Sequence, residues 1–122
     1  MSLEPIQRRM SKPTAGTVNV QQLCTDDITG LTFIQLQRGN TLLDMYNDPD
    51  AAASVFYTYE LFKNSISTGR NFFSSAMSTG SAGRAAIGPI RLAAGQLQLG
   101  STQTAGTAVA SSNVVLKFAN GF

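Results

Sequence analysis

Ser54-Val55-Phe56-Tyr57-Thr58-Tyr59-Glu60-Leu61-Phe62 is the stretch on which the fold turns. It can be read two ways. Asp48 as an N-cap, Pro49 at the first helical position, Asp50 and three alanines are sound helix-start chemistry. Val55, Phe56, Tyr59 and Phe62 also fit a helical stripe. Yet the run is dense in β-branched and aromatic residues, which favour a pleated surface. Tyr57, Tyr59 and Leu61 alternate with Phe56, Thr58, Glu60 and Phe62, the period of a strand. The strand reading is preferred to Phe62, with a turn at Lys63-Asn64-Ser65 and a return strand toward Phe72. A short helical turn at 49–53 is compatible with it.

Outward from this stretch the pattern repeats: short apolar runs cut by turn signals. Thr17 to Leu23 alternates, with Val18 and Val20 on one side. Leu31 to Leu36 is a compact apolar run after Thr29-Gly30. Arg38-Gly39-Asn40 signals a turn before Leu42, Leu43, Met45 and Tyr46. The stretch 78–83 reads as a loop. Gly95 to Gly100 alternates polar with apolar, and Thr104 to Ala110 reads as a small-residue strand. Val114, Leu116 and Phe118 share one face, with Val115 and Lys117 on the other. Together these segments predict a mainly β chain, a single-domain β-sandwich or jelly roll of about eight short strands. Residues 17–122 are assigned to the sandwich. Residues 1–16, carrying Pro5, Pro13, Gly16 and a charge of +2, are assigned to an extended N-terminal arm.

Composition fits a surface meant to be covered. The 122 residues are 43% apolar, enough for one core, but only 13% charged, about half the usual share. Twelve serines and twelve threonines fill the gap. Covering a hydroxyl or amide costs less than covering a charge. The net charge of +2 argues against nucleic acid as a partner. Charge is also uneven along the chain. Residues 25–60 hold six acids against Arg38, and five basic residues with no acid follow Glu60. Such polarity permits head-to-tail packing, unless the fold interleaves the two halves.

Catalytic equipment is scarce. With no histidine and one cysteine, zinc sites and Ser-His or Cys-His relays have no ligands or base. Cys24, between Leu23 and Thr25, reads as a small core residue. No phosphate-cradling glycine motif is present, and Gly80-Ser81-Ala82-Gly83-Arg84 lacks the Lys-Ser/Thr end of one. Asp26-Asp27 and the group Asp44, Asp48, Asp50 are read as caps and Asx-turns rather than a cation site. Counting a calcium loop from Asp44 puts Pro49 at position 6 and Val55 at position 12, where glycine and glutamate are required. The expectation is a protein that is not an enzyme and has no cofactor, metal or small-molecule substrate. No run reaches the roughly 18 apolar residues of a membrane helix, and Met1 to Pro13 has no apolar signal core.

The C-terminal half has a recognisable style. Gly83-Arg84-Ala85-Ala86-Ile87-Gly88-Pro89-Ile90-Arg91-Leu92-Ala93-Ala94-Gly95-Gln96-Leu97-Gln98-Leu99 is followed by Gln103-Thr104-Ala105-Gly106-Thr107-Ala108 and the run from Val114 to Phe118. With the hairpin Leu61 to Arg70, this resembles the small decoration (cement) proteins of tailed-phage virions. The resemblance covers about half the chain and is one of style. No family motif is matched residue by residue, so no functional residue is carried over. It implies a protein made in the host cytoplasm and carried on the virion. It further implies a homo-oligomer that clamps a major capsid protein or another virion protein. On this reading Ile6, Arg8, Arg9, Met10 and Lys12 of the arm reach a neighbour, and Arg70, Phe72, Phe73, Arg84 and Arg91 are further contact residues. The alternative is a β-sandwich binding module for carbohydrate or a receptor, which calls for Tyr46, Tyr57 or Tyr59 exposed on one face.

Overall fold

The computed structural model describes residues 5–12, 19–48, 56–72, 87–105 and 112–122. Among these there are ten strands and no helix. They are β1 (Ile6–Lys12), β2 (Gln21–Leu23), β3 (Thr25–Asp26), β4 (Ile34–Leu36), β5 (Asn40–Asp48), β6 (Phe56–Lys63), β7 (Ile66–Phe72), β8 (Ile90–Leu92), β9 (Gly95–Ala105) and β10 (Ser112–Phe118). One antiparallel sheet runs β3-β1-β10-β5-β8 and the other β2-β9-β6-β7, with β4 also pairing β9.

Period-two alternation builds the core between the sheets. The first sheet contributes Met10, Leu42, Met45, Val114, Leu116 and Phe118; the second contributes Ile34, Leu36, Tyr57, Tyr59, Leu61, Leu97 and Leu99. All belong to one buried cluster, so the molecule is a β-sandwich. β10 lies between β1 and β5, and its Val114, Leu116 and Phe118 are fully buried. Cys24 is buried where the chain leaves β2 in one sheet for β3 in the other, and its N–H donates to the Leu99 carbonyl at 2.8 Å.

The ambiguous stretch resolves as a strand from residue 56; the expected helical turn at 49–53 lies outside the described residues, as do the loop at 78–83 and residues 106–110. The β6–β7 turn falls where expected, with Asn64 at φ 52° and Ser65 at φ 65°. Two successive positive φ values match the right-handed twist of a tight hairpin. The turn folds onto the start of β9. Asn64 N–H donates to Gln96 O at 2.7 Å, and Gln96 N–H donates to Asn64 Oδ1 at 2.9 Å. Lys63 Nζ donates to Ala94 O at 2.8 Å. Gly95, at φ 139°, lies beneath this contact.

The extended arm at 1–16 is corrected over its described part, while 1–4 and 13–16 lie outside the described residues. Ile6–Lys12 is an interior strand, laddered to β10 on one side and β3 on the other. Its register sets Ile6 opposite Phe118, Arg8 opposite Leu116 and Met10 opposite Val114. Cross-strand partners share a face, so all three side chains point toward the core. A basic residue at the central inward position disguised the alternation in sequence.

Candidate functional site

Of the predicted arm residues, Arg8 and Met10 lie beside Asp26 in the first sheet. Asp26 opposes Met10 across the β1–β3 ladder and therefore points inward. Arg8 Nη1 meets Asp26 Oδ2 at 2.5 Å, with the two side chains 14% and 1% exposed. A charge buried this deeply is tolerated only when paired. The guanidinium also lies 4.9 Å from the centre of the Phe122 ring. Phe122 packs edge-on against Phe118 at 4.9 Å, which covers the ion pair with aromatic surface. Arg9 points the other way, half exposed, and its Nε lies 3.3 Å from Asp27. Met10 is fully buried and Ile6 partly so. Lys12 ends β1.

Asp26 also shapes the loop that follows it. Its Oδ1 accepts the Ile28 N–H at 3.1 Å, the Asx-turn pattern, and its Oδ2 accepts the Thr29 hydroxyl at 3.1 Å. Gly30 N–H donates to the Asp26 carbonyl, and Asp26 N–H to the Leu31 carbonyl, each at 2.8 Å. Gly30 takes φ 75°, where a side chain would be strained. The result is a tight loop with Ile28 at its tip, 74% exposed. The capping role read from the sequence for Asp26 agrees with these bonds. Among the described residues no three His, Cys, Asp or Glu side chains converge as metal ligands.

This loop falls in a segment rich in exposed apolar side chains that the sequence reading missed. Among the described residues the exposed large apolar side chains are Val20, Leu23, Ile28, Leu31, Leu43 and Ile66. Four of the six come from residues 20–31, which locates the surface on β2 and the loop after β3. Isolated exposed apolar residues are ordinary, but a concentration in one short segment is less so. The available signal was Ile28 itself, an isoleucine between Asp27 and a Thr-Gly turn.

The remaining predicted contact residues divide. Arg70 is exposed on β7 and Arg91 on β8. Phe72 is corrected to a core residue; it is buried opposite Tyr59. Phe73 and Arg84 lie outside the described residues. β7 is exposed from Ile66 to Asn71, but its edge is interrupted. Leu61 opposes Arg70 whereas Phe62 opposes Ser67, so Thr68 and Gly69 bulge out. Thr68 Oγ1 donates to the Leu61 carbonyl at 2.7 Å and accepts the Arg70 N–H at 3.2 Å. A bulge pinned in this way hinders strand addition at the edge.

The acidic stretch of the sequence meets basic residues from both ends of the chain. Asp26 and Asp27 pair with Arg8 and Arg9, and Asp44 opposes Lys117 across the β5–β10 ladder. Tyr57 and Tyr59 are buried and stack on one another at 6.2 Å, so they form no exposed aromatic face, and Tyr46 is half-buried.

Glu60 ties three strands on the outer face of the second sheet. Its carboxylate accepts the Ser67 hydroxyl from β7, and the Gln21 amide from β2 at 3.0 Å. Gln21 reaches it by crossing Gly100, where a Cβ would lie 2.7 Å from Gln21 Cδ. The Ser67 bond first, and the Gln21 bond second, hold the Glu60 pKa below its ordinary value of 4.5. A lowered carboxylate pKa adds stability that is present above the ordinary value and lost as pH falls through the folded value. Denaturation midpoints measured from neutral to acid pH are therefore expected to show an acid loss that is smaller in Glu60→Gln. Identical pH profiles for the two proteins would remove this role from Glu60.

No helix among the described residues is long and apolar enough to cross a membrane. Comparison of the chain with protein-family models, with curated proteins and with solved structures finds no match in any of the three.

Proposed function

We propose that this chain is a structural assembly protein, a small virion component of the capsid-decoration kind, made in the host cytoplasm and acting by repeated contact. The observation that carries the reading is the strand order. With the two short strands β3 and β4 set aside, β1-β10-β5-β8 faces β2-β9-β6-β7. Numbered afresh along the chain, these eight strands run 1-8-3-6 and 2-7-4-5. That order is the one expected of a jelly roll, two nested Greek keys and an architecture shared by capsid and lectin domains, and it supports the reading.

Between those two uses, the surface favours assembly. The binding module called for tyrosines on an open face, and Tyr57 and Tyr59 are core residues. The low charge, the neutralised ion pairs and the apolar segment 20–31 fit burial against another protein. Covering one exposed isoleucine contributes about 2 kcal/mol, and symmetry repeats the gain at every copy. The proposed partners are further copies of the chain and a capsid or other virion protein. The contact is assigned to Leu23, Ile28 and Leu31, in place of the arm.

Light scattering behind a sizing column, at low and high salt, tests this. A defined oligomer is expected at both salts, because the surface is apolar and not ionic. Ile28→Asp is expected to shift it to monomer without moving the thermal midpoint, since Ile28 is 74% exposed. A native monomer at both salts, or an oligomer indifferent to Ile28→Asp, would reject the assignment.

A further inference from the structure

The chain contains one Asn-Gly dipeptide, Asn120-Gly121, separated from the end of β10 by Ala119. Glycine leaves its own peptide nitrogen unshielded, so that nitrogen can approach the carbonyl carbon of the preceding asparagine side chain. Here the backbone is already held by a second asparagine. Asn40, buried at the start of β5, accepts the N–H groups of Thr41 at 2.8 Å and Asn120 at 3.1 Å through Oδ1. Two donors at one end of the amide fix that end as oxygen, so the other end is the NH2 group. That Nδ2 donates to the carbonyl oxygen of Asn120 at 2.9 Å. The oxygen belongs to the peptide group whose nitrogen is Gly121 N. Neither the Asn120 carboxamide nor the Gly121 N–H has a hydrogen-bond partner among the described residues, and both residues are half-buried, within reach of water.

We propose that Asn120-Gly121 is a site of spontaneous succinimide formation and deamidation, promoted by Asn40. Water removes the proton from Gly121 N, and peptide resonance places the resulting charge on the Asn120 carbonyl oxygen. The Asn40 N–H already points at that oxygen and stabilises the charge without reorganising. Gly121 N then bonds to Asn120 Cγ. The Cγ–Nδ2 bond breaks, and ammonia leaves with a proton from water. A second water opens the five-membered ring at either carbonyl, giving aspartate or isoaspartate. The sum is one water consumed and one ammonia released, with no change of oxidation state.

The product differs from the starting chain in two ways. A neutral amide becomes a carboxylate, so the formal net charge of +2 falls by one to +1. The isoaspartate form also inserts one methylene into the main chain ahead of Phe122. Phe122 is the ring that rests on Phe118 and under the Arg8 guanidinium. The modification therefore loosens the cover over the Arg8–Asp26 pair, and it accumulates with the age of the protein.

The test follows the full chain at mildly alkaline pH and body temperature, once native and once in guanidinium. Intact mass reads the exchange of NH2 for OH, and peptide mapping locates isoaspartate. The native chain is expected to convert at Asn120 about tenfold faster than the denatured chain, the worth of one aligned hydrogen bond to a developing charge. Asn40→Asp keeps both acceptor contacts and replaces the donor with an oxygen. It is expected to bring the native rate down to the denatured rate or below, and Gly121→Ala to suppress conversion in both states. A native rate equal to or slower than the denatured one overturns the proposal. So does an unchanged rate in an Asn40→Asp protein with native circular dichroism. The comparison of native with denatured chain needs no variant, so it decides the matter even if Asn40→Asp unfolds.

Discussion

Asp26→Ala is expected to lower the unfolding free energy by about 3–5 kcal/mol, because it leaves the Arg8 guanidinium buried without its counter-charge. Arg8 lies inside the ladder between Leu116 and β3, where its side chain is 14% exposed. Asp26 also accepts the Ile28 N–H and the Thr29 hydroxyl, so the loop carrying Ile28 loses its anchor in the same variant. Urea titration at neutral pH measures the loss. A companion Arg8→Met, Asp26→Asn protein is expected to recover part of it, since no unpaired charge remains, and a double-mutant cycle isolates the pair. A loss below about 1 kcal/mol for Asp26→Ala would mean that Arg8 escapes to water, and would refute the buried pair. Under the assembly reading, Asp26→Ala also weakens the oligomer, because it disorders the surface that Ile28 tops.

Gly95→Ala is the second large effect, expected at about 2–4 kcal/mol from backbone strain together with lost hydrogen bonds. A Cβ at residue 95 would sit 2.6 Å from Asn64 Oδ1 and 2.9 Å from Lys63 Nζ. Lys63 can swing away, but Asn64 is held by paired bonds to Gln96 and cannot. Relief of the clash therefore separates the β6–β7 turn from the start of β9. Gly69→Ala provides the comparison. Gly69 has φ 78° and nothing within 4 Å of the added carbon, so only torsional strain of about 1–2 kcal/mol is expected there. Equal losses at the two positions, measured by thermal and urea unfolding, would show that the docked turn contributes nothing to Gly95.

Local signals were readable and non-local ones were not. The β6–β7 hairpin, the β9 alternation, the inward face of β10 and the buried Cys24 all follow from residues within one segment. β1 did not, because its inward row is Ile6, Arg8, Met10. An arginine at such a position reads as a surface residue until its partner is known, and that partner lies 18 residues away. The two flanking prolines strengthened the wrong reading; Pro5 precedes β1 and Pro13 follows it. Phe72 was placed at a contact because neighbouring phenylalanines on a strand point to opposite faces; the ladder assigns Phe72 to the core. The apolar surface at residues 20–31 was hidden for the opposite reason. Its members looked like core, and only the register of β2 on β9 turns Leu23 outward over Gly100.

The pairing of β1 with β10 also sets the order in which the molecule can be made. Residue 6 lies against residue 118 in the ladder, and Ser11 hydrogen-bonds Asn113 across a sequence gap of 102. On the ribosome β1 emerges well before β10 and has no partner there until nearly the whole described chain has been synthesised. The β6–β7 hairpin needs only its own residues and can form in passing, within microseconds. The first sheet has to wait, and closing so long a loop makes it the slow event. A nascent chain halted before residue 112 would keep the hairpin yet leave Met10 and Met45 without the strand that lies between theirs. Such an intermediate is a substrate for chaperones, and its lifetime is set by the speed of translation.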